Sequence, residues 1–110
     1  MHNQPASSLR RRRKALLRRL PNFENILRGS LIQRYKRCGK PGCKCAKGRG
    51  HGPKYYLSIS RTGDRPKMDY VPQQYHDQVE RYLANYRSLR EILEEICNLN
   101  VELLRRRERL

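Results

Sequence analysis

All of the excess positive charge of this chain lies in its first two thirds. The 110 residues carry 26 Lys and Arg against 10 Asp and Glu, a net charge of +16. Residues 1–20 hold seven basic and no acidic residues, and residues 21–71 hold twelve and three, whereas residues 72–110 hold seven of each sign. A field of one sign over so small a protein opposes folding, and a polyanion is its usual compensation. The charge pattern therefore predicts a nucleic-acid-binding protein.

The apolar content limits the core that the chain can build. Leu, Ile, Val and Phe together number 23, close to the composition at which highly charged chains stay disordered. We therefore expect a metal, a partner subunit or a bound polyanion to complete the fold, and we exclude a large-pocket cofactor enzyme. No apolar run reaches the roughly 18 residues of a membrane span, and no signal-peptide core is visible. The sequence predicts a cytoplasmic protein associated with nucleic acid.

Three segments of different character follow one another along the chain. Residues 1–21 form an arginine-rich arm, residues 22–71 a basic domain that contains clustered cysteines, and residues 72–110 a C-terminal helix. The sequence of the arm predicts a helix that begins at Ser7 and is ended by Pro21. Such a helix could form on nucleic acid or lie on a surface of anionic lipid. Residues 22–28 predict a short second helix that Gly29 ends.

The middle segment predicts a three-stranded antiparallel sheet. Residues 30–37 and 54–60 have the alternation or the β-branched and aromatic content of strands, and a turn at residues 61–66 leads to a third strand at residues 67–71. With the helices on either side, the predicted fold class is α+β.

A cysteine cluster separates the first two predicted strands. Cys38, Cys43, Cys45 and His51 supply three thiolates and one imidazole, a common tetrahedral zinc set with no open position for catalysis. Their spacing, Cys-x4-Cys-x-Cys-x5-His, differs from the common zinc fingers. The alternatives are disulfides, a Gly/Pro-rich loop with free thiols, and a redox-active pair Cys43 and Cys45. Cys97 is predicted to be a small core residue of the C-terminal helix.

Basic residues of the arm and of the cysteine-containing segment are the predicted contacts to phosphate. They are Arg10, Arg11, Arg12, Arg13, Lys14, Arg18, Arg19, Arg34, Lys36, Arg37, Lys40, Lys44, Lys47, Arg49 and Lys54. Tyrosines on the predicted strands, at positions 35, 55, 56 and 70, suit either stacking on unpaired bases or packing of a thin core.

The C-terminal helix carries a heptad stripe, an apolar spacing of three and four residues. Its positions are Val79, Tyr82, Tyr86, Leu89, Leu93, Ile96, Asn100 and Leu103, flanked by Leu83, Ile92, Cys97, Leu99 and Leu104. Asn100 falls at an a position, where a paired amide fixes the register of coiled-coil dimers. The stripe predicts a homodimer or a partner helix, and the alternative is packing within the same domain.

The segment from Gly29 to Pro53, followed by Tyr55-Tyr-Leu, resembles a family of small basic bacterial proteins catalogued as a domain of unknown function. Its specific parts are Cys38-Gly-Lys-Pro-Gly-Cys-Lys-Cys45 and Gly50-His-Gly-Pro53, and it extends over residues 29–105, so the arm before Pro21 lies outside it. The resemblance implies that the cysteines and His51 form one motif, and an association with mobile genetic elements. It implies no activity.

Two functions follow from these patterns. The first is a non-enzymatic protein that binds nucleic acid, DNA favoured over RNA, as an accessory or regulatory protein of a mobile element. The second is an adaptor that binds partner proteins through its C-terminal helix. An enzyme is disfavoured, because no paired nucleophile and base is visible and the carboxylates Glu91, Glu94 and Glu95 suit a solvated helix face.

Overall fold

The protein is an α+β chain that contains a three-stranded antiparallel sheet. The computed structural model describes residues 3–36 and 51–110, with the backbone alone at residues 36, 51 and 52. The elements in chain order are α1 (Ala6–Leu17), β1 (Ser30–Lys36), β2 (His51–Arg61), β3 (Asp64–Val71), a 3₁₀ turn (Gln73–Tyr75) and α2 (His76–Arg105). The chain divides into two compact units, one of residues 1–26 and 84–110 and the other of residues 27–83.

The predicted meander is confirmed, with β2 in the centre of the order β1-β2-β3. Gln33 pairs with Tyr55, which pairs in turn with Val71, and Lys36 pairs with His51 at the end of the first ladder. The strands run further than the alternation predicted, since β2 extends from His51 to Arg61 and β3 begins at Asp64. The reversal between them is therefore tighter than the predicted turn, and Gly63 takes a φ of +72° there.

One face of the sheet carries the core of residues 27–83. Leu57 and Val71 of the sheet are buried together with Leu83 of α2, and Leu27, Leu31, Tyr55, Ile59 and Val79 pack around them. Side chains on a strand alternate between the two faces, so the residues next to these in sequence point to the opposite face. The first turns of α2 thus cover one side of the sheet.

The core of the other unit joins the arginine-rich segment to the second half of α2. Leu9 and Leu16 of α1 are fully buried against Ile92, Leu99 and Leu103, with Ala6, Leu20 and Ile96 at the margin. Leu9 and Leu16 are seven residues apart on α1 and therefore lie on one face of the helix. The predicted arm is therefore a packed helix.

The prediction of a short helix at residues 22–28 is wrong, because the structure has a turn and irregular chain there. Asn22 does cap locally, since its side chain accepts from the Glu24 amide and its carbonyl accepts from Asn25, but the turn goes no further. The Leu27 amide donates to the Tyr82 carbonyl of α2 at 3.2 Å instead of continuing a helix. Hydrogen bonds to a distant element have replaced those of a helix, and Gly29 precedes a strand.

Helix α2 ends in a Schellman motif with an unusual residue. The Glu108 amide donates to the Leu103 carbonyl and the Arg107 amide to the Leu104 carbonyl, while Arg107 takes a φ of +56°. This left-handed position is normally glycine.

The prediction that Cys97 is a core residue is wrong, because Cys97 is exposed on α2. Of the helices formed by residues 3–36 and 51–110, none combines the length and apolar character needed to cross a membrane.

Candidate nucleic-acid interface

The face of the sheet opposite α2, here called the open face, combines aromatic and basic side chains. Register places Ile32, Tyr56 and Tyr70 in one row across the three strands, and Arg34 beside Lys54 in the next row. A third row contains Ser30, Ser58 and Met68. Within the described strands no acidic residue falls on these rows. The open face is thus cationic and partly aromatic.

Arg34 and Lys54 are directly opposite each other on neighbouring strands. Both are exposed, and neither belongs to an ion pair found among the described residues. Like charges at opposed positions of an antiparallel pair destabilise it. An anion bound between the two side chains would remove this repulsion.

The tyrosines predicted for stacking separate into two groups. Tyr56 and Tyr70 form an edge-to-face pair on the open face, with ring centroids 5.7 Å apart, and Tyr70 is 56% exposed. Tyr55 lies on the covered face, where its ring meets His76 at 4.2 Å and its hydroxyl accepts from Gln33 at 2.6 Å. The structure therefore places Tyr70 where a ligand can reach its ring and uses Tyr55 for packing.

A cleft of about 410 Å³ opens beside Tyr70 at the end of β3. Its walls are Pro53, Lys54, Tyr55, Tyr70, Val71, Gln73 and His76. His76 is fixed in this wall, because its Nε2 lies 3.1 Å from the Val71 carbonyl oxygen. The cleft brings one cation, one exposed ring and the amide of Gln73 to the same place.

Three arginines of α1 have partners outside the helix, in the same unit of the chain. Arg12 pairs with Glu95 through two hydrogen bonds of 2.8 and 3.2 Å, and Arg13 donates to Asn100 Oδ1 at 2.6 Å. Arg10 donates to the carbonyl of Arg109 at 2.8 Å and lies 3.8 Å from Glu108. A phosphate would have to compete with these groups for the three arginines.

The Arg12–Glu95 pair shifts both titrations toward the charged forms. The hydrogen bond from Arg12 lowers the pKa of Glu95 most, with burial opposing it and the charges of Arg12 and Arg19 adding to it. The same hydrogen bond raises the pKa of Arg12. Both side chains are well exposed, so the pair is screened by solvent and orients α1 more than it stabilises the unit.

The remaining basic residues of α1 and the turn after it face solvent. Lys14, Arg18 and Arg19 are exposed, and the side chain of Arg11 donates to Ser8 at 3.1 Å. Positions 11, 14 and 18 lie on one face of a helix by their spacing. This stripe, Arg19 and the pair Arg34 and Lys54 are exposed predicted cations whose side chains have no hydrogen-bond or ion-pair partner outside their own element among the described residues.

Several predicted residues lie outside the described part of the chain. Cys38, Cys43 and Cys45 do so, together with Arg37, Lys40, Lys44, Lys47 and Arg49, and the side chains of Lys36 and His51 are not described. In residues 3–36 and 51–110, the His, Cys, Asp and Glu side chains form no group of three that could hold a metal. The zinc site stays a prediction.

The heptad positions of α2 are partly used within the chain. Leu89 and Leu103 are buried, Ile96 packs beside α1, and Asn100 accepts from Arg13. Tyr82 and Tyr86 are half-buried, Val79 belongs to the sheet core, and Leu93 is 49% exposed. The stripe thus supplies both cores, and its role in oligomerisation stays a prediction.

Sequence patterns did not reveal the partners of the carboxylates on α2. Glu95, expected to be a solvated charge, pairs with Arg12, and Glu102 is 6% exposed beside Arg106. The spacing Glu102 to Arg106 is the i,i+4 pairing that stabilises helices and could have indicated the second contact. No sequence pattern indicated that Gln73, which lines the cleft, is a candidate functional residue.

A family model described as a domain of unknown function, DUF6788, matches residues 7–81. The chain belongs to this family. No curated protein and no solved structure matches the chain. The matched region begins further toward the N-terminus than the resemblance indicated. The arginine-rich helix α1 is therefore part of the DUF6788 region, while most of α2, from residue 82 onward, follows it.

Proposed function

We propose that this DUF6788 protein binds nucleic acid, with DNA favoured over RNA, and that it does so without catalysis. The observation that carries the proposal is the opposed pair Arg34 and Lys54, two exposed cations beside an exposed aromatic ring. Residues 27–83 hold thirteen basic and four acidic residues, a net charge of +9. Phosphates neutralise such a surface, and counterion release then favours binding. An accessory role in a mobile element is the biological setting that we propose.

The proposal includes a structural zinc ion held by Cys38, Cys43, Cys45 and His51. Three thiolates and one imidazole satisfy the usual coordination of structural zinc. Support comes from the β1–β2 ladder, since the backbones of Lys36 and His51 are paired and residues 37–50 connect them. All four ligands thus belong to one connection and the strand residue that follows it. The basic residues of the same connection would contact phosphate.

Binding to DNA is expected to fall steeply with salt. A mixed-sequence DNA, titrated as single strand and as duplex by fluorescence anisotropy, should lose about 100-fold in affinity between 50 and 200 mM KCl if about four phosphates are neutralised. Arg34→Gln combined with Lys54→Gln should weaken binding more than Arg10→Gln combined with Arg12→Gln. Both variants remove two positive charges, but the second pair is already engaged within the chain.

Salt-independent affinity would contradict the phosphate contact. Polyglutamate of matched length is the control for charge alone, and tighter binding to polyglutamate than to DNA would favour recruitment of an acidic protein. Purification at low salt without nuclease-sensitive nucleic acid, but with a stable protein complex, would support the adaptor function.

Purified protein is expected to contain about one zinc ion per chain. Cys38→Ser should lose the zinc measured by mass spectrometry of the metal and should lower thermal stability, because the binding free energy of a structural zinc contributes to folding. Cys97→Ser is the matched control, since this thiol is exposed on α2. Protein that lacks zinc and folds unchanged in chelator would exclude the site.

A second candidate function is favoured by an exposed apolar stripe on α2. Leu93, Val101 and Leu104 are 49%, 42% and 52% exposed, and Cys97 lies between the first two. Their spacing of four, four and three residues places them along one side of the helix. Such a stripe suits a partner helix, which would make the chain an adaptor or a homodimer.

A further inference from the structure

We infer that the open face of the sheet binds single-stranded DNA, with an unpaired base stacked on Tyr70 and backbone phosphates at Arg34 and Lys54. The inference rests on the proposed function and adds to it the form of nucleic acid and the residues that recognise it. Tyr70, Arg34 and Lys54 all belong to residues 27–83.

The two opposed cations of the open face favour a bound anion. Arg34 and Lys54 stand opposite each other in the register of β1 and β2, and the rows on either side contribute no carboxylate. Like charges on opposed positions weaken the pairing of two strands, and a bound anion would remove this cost. A phosphodiester backbone supplies negative charge at regular intervals and so satisfies both cations.

The ring of Tyr70 is both accessible and held in place. The side chain of Tyr70 is 56% exposed. Its ring packs edge-to-face against the ring of Tyr56, at an interplanar angle of 67°, and this contact orients it. An aromatic ring held in this way stacks on any base, because every base has a π face. Tyr70 therefore provides affinity without strong sequence preference.

The cleft beside Tyr70 has the size of a small-ligand site. Its volume of about 410 Å³ lies within the range of pockets that hold a nucleotide-sized molecule. Lys54 donates to anions, and the amide of Gln73 can both donate to and accept from a base edge. The same wall thus offers contacts to phosphate and to base next to the stacking ring.

These contacts select a single strand over a duplex. In a duplex the faces of the bases are covered by their neighbours, so a ring on a sheet cannot stack on them unless the bases separate. Phosphate contacts alone would serve duplex and single strand alike. Stacking on Tyr70 should therefore appear as an advantage of the single strand.

Fluorescence anisotropy with a labelled oligothymidylate and a DNA hairpin duplex, at one salt concentration, tests the inference. Tyr70→Leu should weaken oligothymidylate binding about tenfold and leave duplex binding within about twofold, whereas Tyr70→Phe should retain both. Phe23→Leu is the matched control, because Phe23 is an aromatic residue that is 62% exposed outside the sheet. Circular dichroism establishes that each variant is folded.

Photocrosslinking of the unaltered chain gives a readout that does not depend on a folded variant. An oligothymidylate containing 5-iododeoxyuridine should crosslink to Tyr70, which peptide mass spectrometry identifies. Crosslinks confined to other residues would overturn the inference.

Three further results would also overturn it. In the first, Tyr70→Leu and Phe23→Leu bind oligothymidylate equally well. In the second, Tyr70→Leu weakens binding to the duplex as much as binding to the single strand, which would mean that phosphate is contacted and that no base stacks on Tyr70. In the third, the dependence on Tyr70 occurs with oligouridylate and not with oligothymidylate. Failure of the unaltered chain to bind any nucleic acid would instead contradict the proposed function.

Discussion

Replacing Leu103 by alanine is expected to lower the free energy of unfolding by about 3 kcal/mol. Leu103 is fully buried between α1 and α2, where it packs with Leu9, Leu16 and Leu99. Truncation removes apolar contacts and leaves a cavity that a two-helix contact fills only by moving α1. Small domains have a total stability of about 5–15 kcal/mol, so this loss is a large fraction. Urea denaturation followed by circular dichroism at 222 nm measures it.

The neighbouring leucine provides the control for Leu103→Ala. Leu104 is 52% exposed on the same turn of α2, so Leu104→Ala should change the free energy of unfolding by less than about 1 kcal/mol. Equal effects of the two substitutions would show that α1 does not cover this face of α2 in solution. The pair therefore tests the packing of the arginine-rich helix independently of any ligand.

Replacing Gly29 by alanine is expected to cost about 2–3 kcal/mol. The φ of Gly29 is +132°, and a Cβ atom there would lie 2.6 Å from the carbonyl oxygen of Ser58 in β2. The new methyl group would also press on side chains of Leu57 and Ile59, at 3.1 and 3.2 Å. Because β1 starts at the next residue, the substitution should separate the start of β1 from β2. Thermal unfolding measures the loss.

Gly63→Ala distinguishes backbone strain from steric overlap. Gly63 also has a positive φ, +72°, but a Cβ atom there would meet nothing within 4 Å. It should therefore cost about 1 kcal/mol, the penalty of a left-handed conformation alone. A loss as large for Gly63→Ala as for Gly29→Ala would contradict the close approach of Gly29 to β2.

Local patterns predicted the sheet and both long helices because each has a strong signal within a few residues. The aromatic and β-branched run of β2 and the three-four spacing of α2 depend on neighbours in sequence. The helix predicted at residues 22–28 failed for the opposite reason. The Leu27 amide and the Asn25 carbonyl bond to Tyr82 and Asn85, whose positions in space no local pattern contains.

The candidate interface was predictable in composition but not in arrangement. Arg34, Lys54, Tyr56 and Tyr70 were all identified as possible contacts, yet only the strand register shows that Arg34 meets Lys54 and that Tyr56 meets Tyr70. In the arm, no sequence pattern indicated which arginine side chains are free to bind phosphate. Arg12 and Arg13 instead contact Glu95 and Asn100, which are more than 80 residues away in sequence.

One unit is inserted into the sequence of the other, and this insertion affects the order in which the two units fold. Residues 27–83 are continuous, whereas the other unit combines residues 1–26 with residues 84–110. Its contacts span 83 residues between Arg12 and Glu95 and 99 between Arg10 and Arg109. Contacts of such high sequence separation form late, because residues 27–83 must fold before they bring the two flanking segments close together. On a ribosome, the sheet can therefore pair while α1 still lacks its partner, and the arginine-rich helix is the last element to be packed.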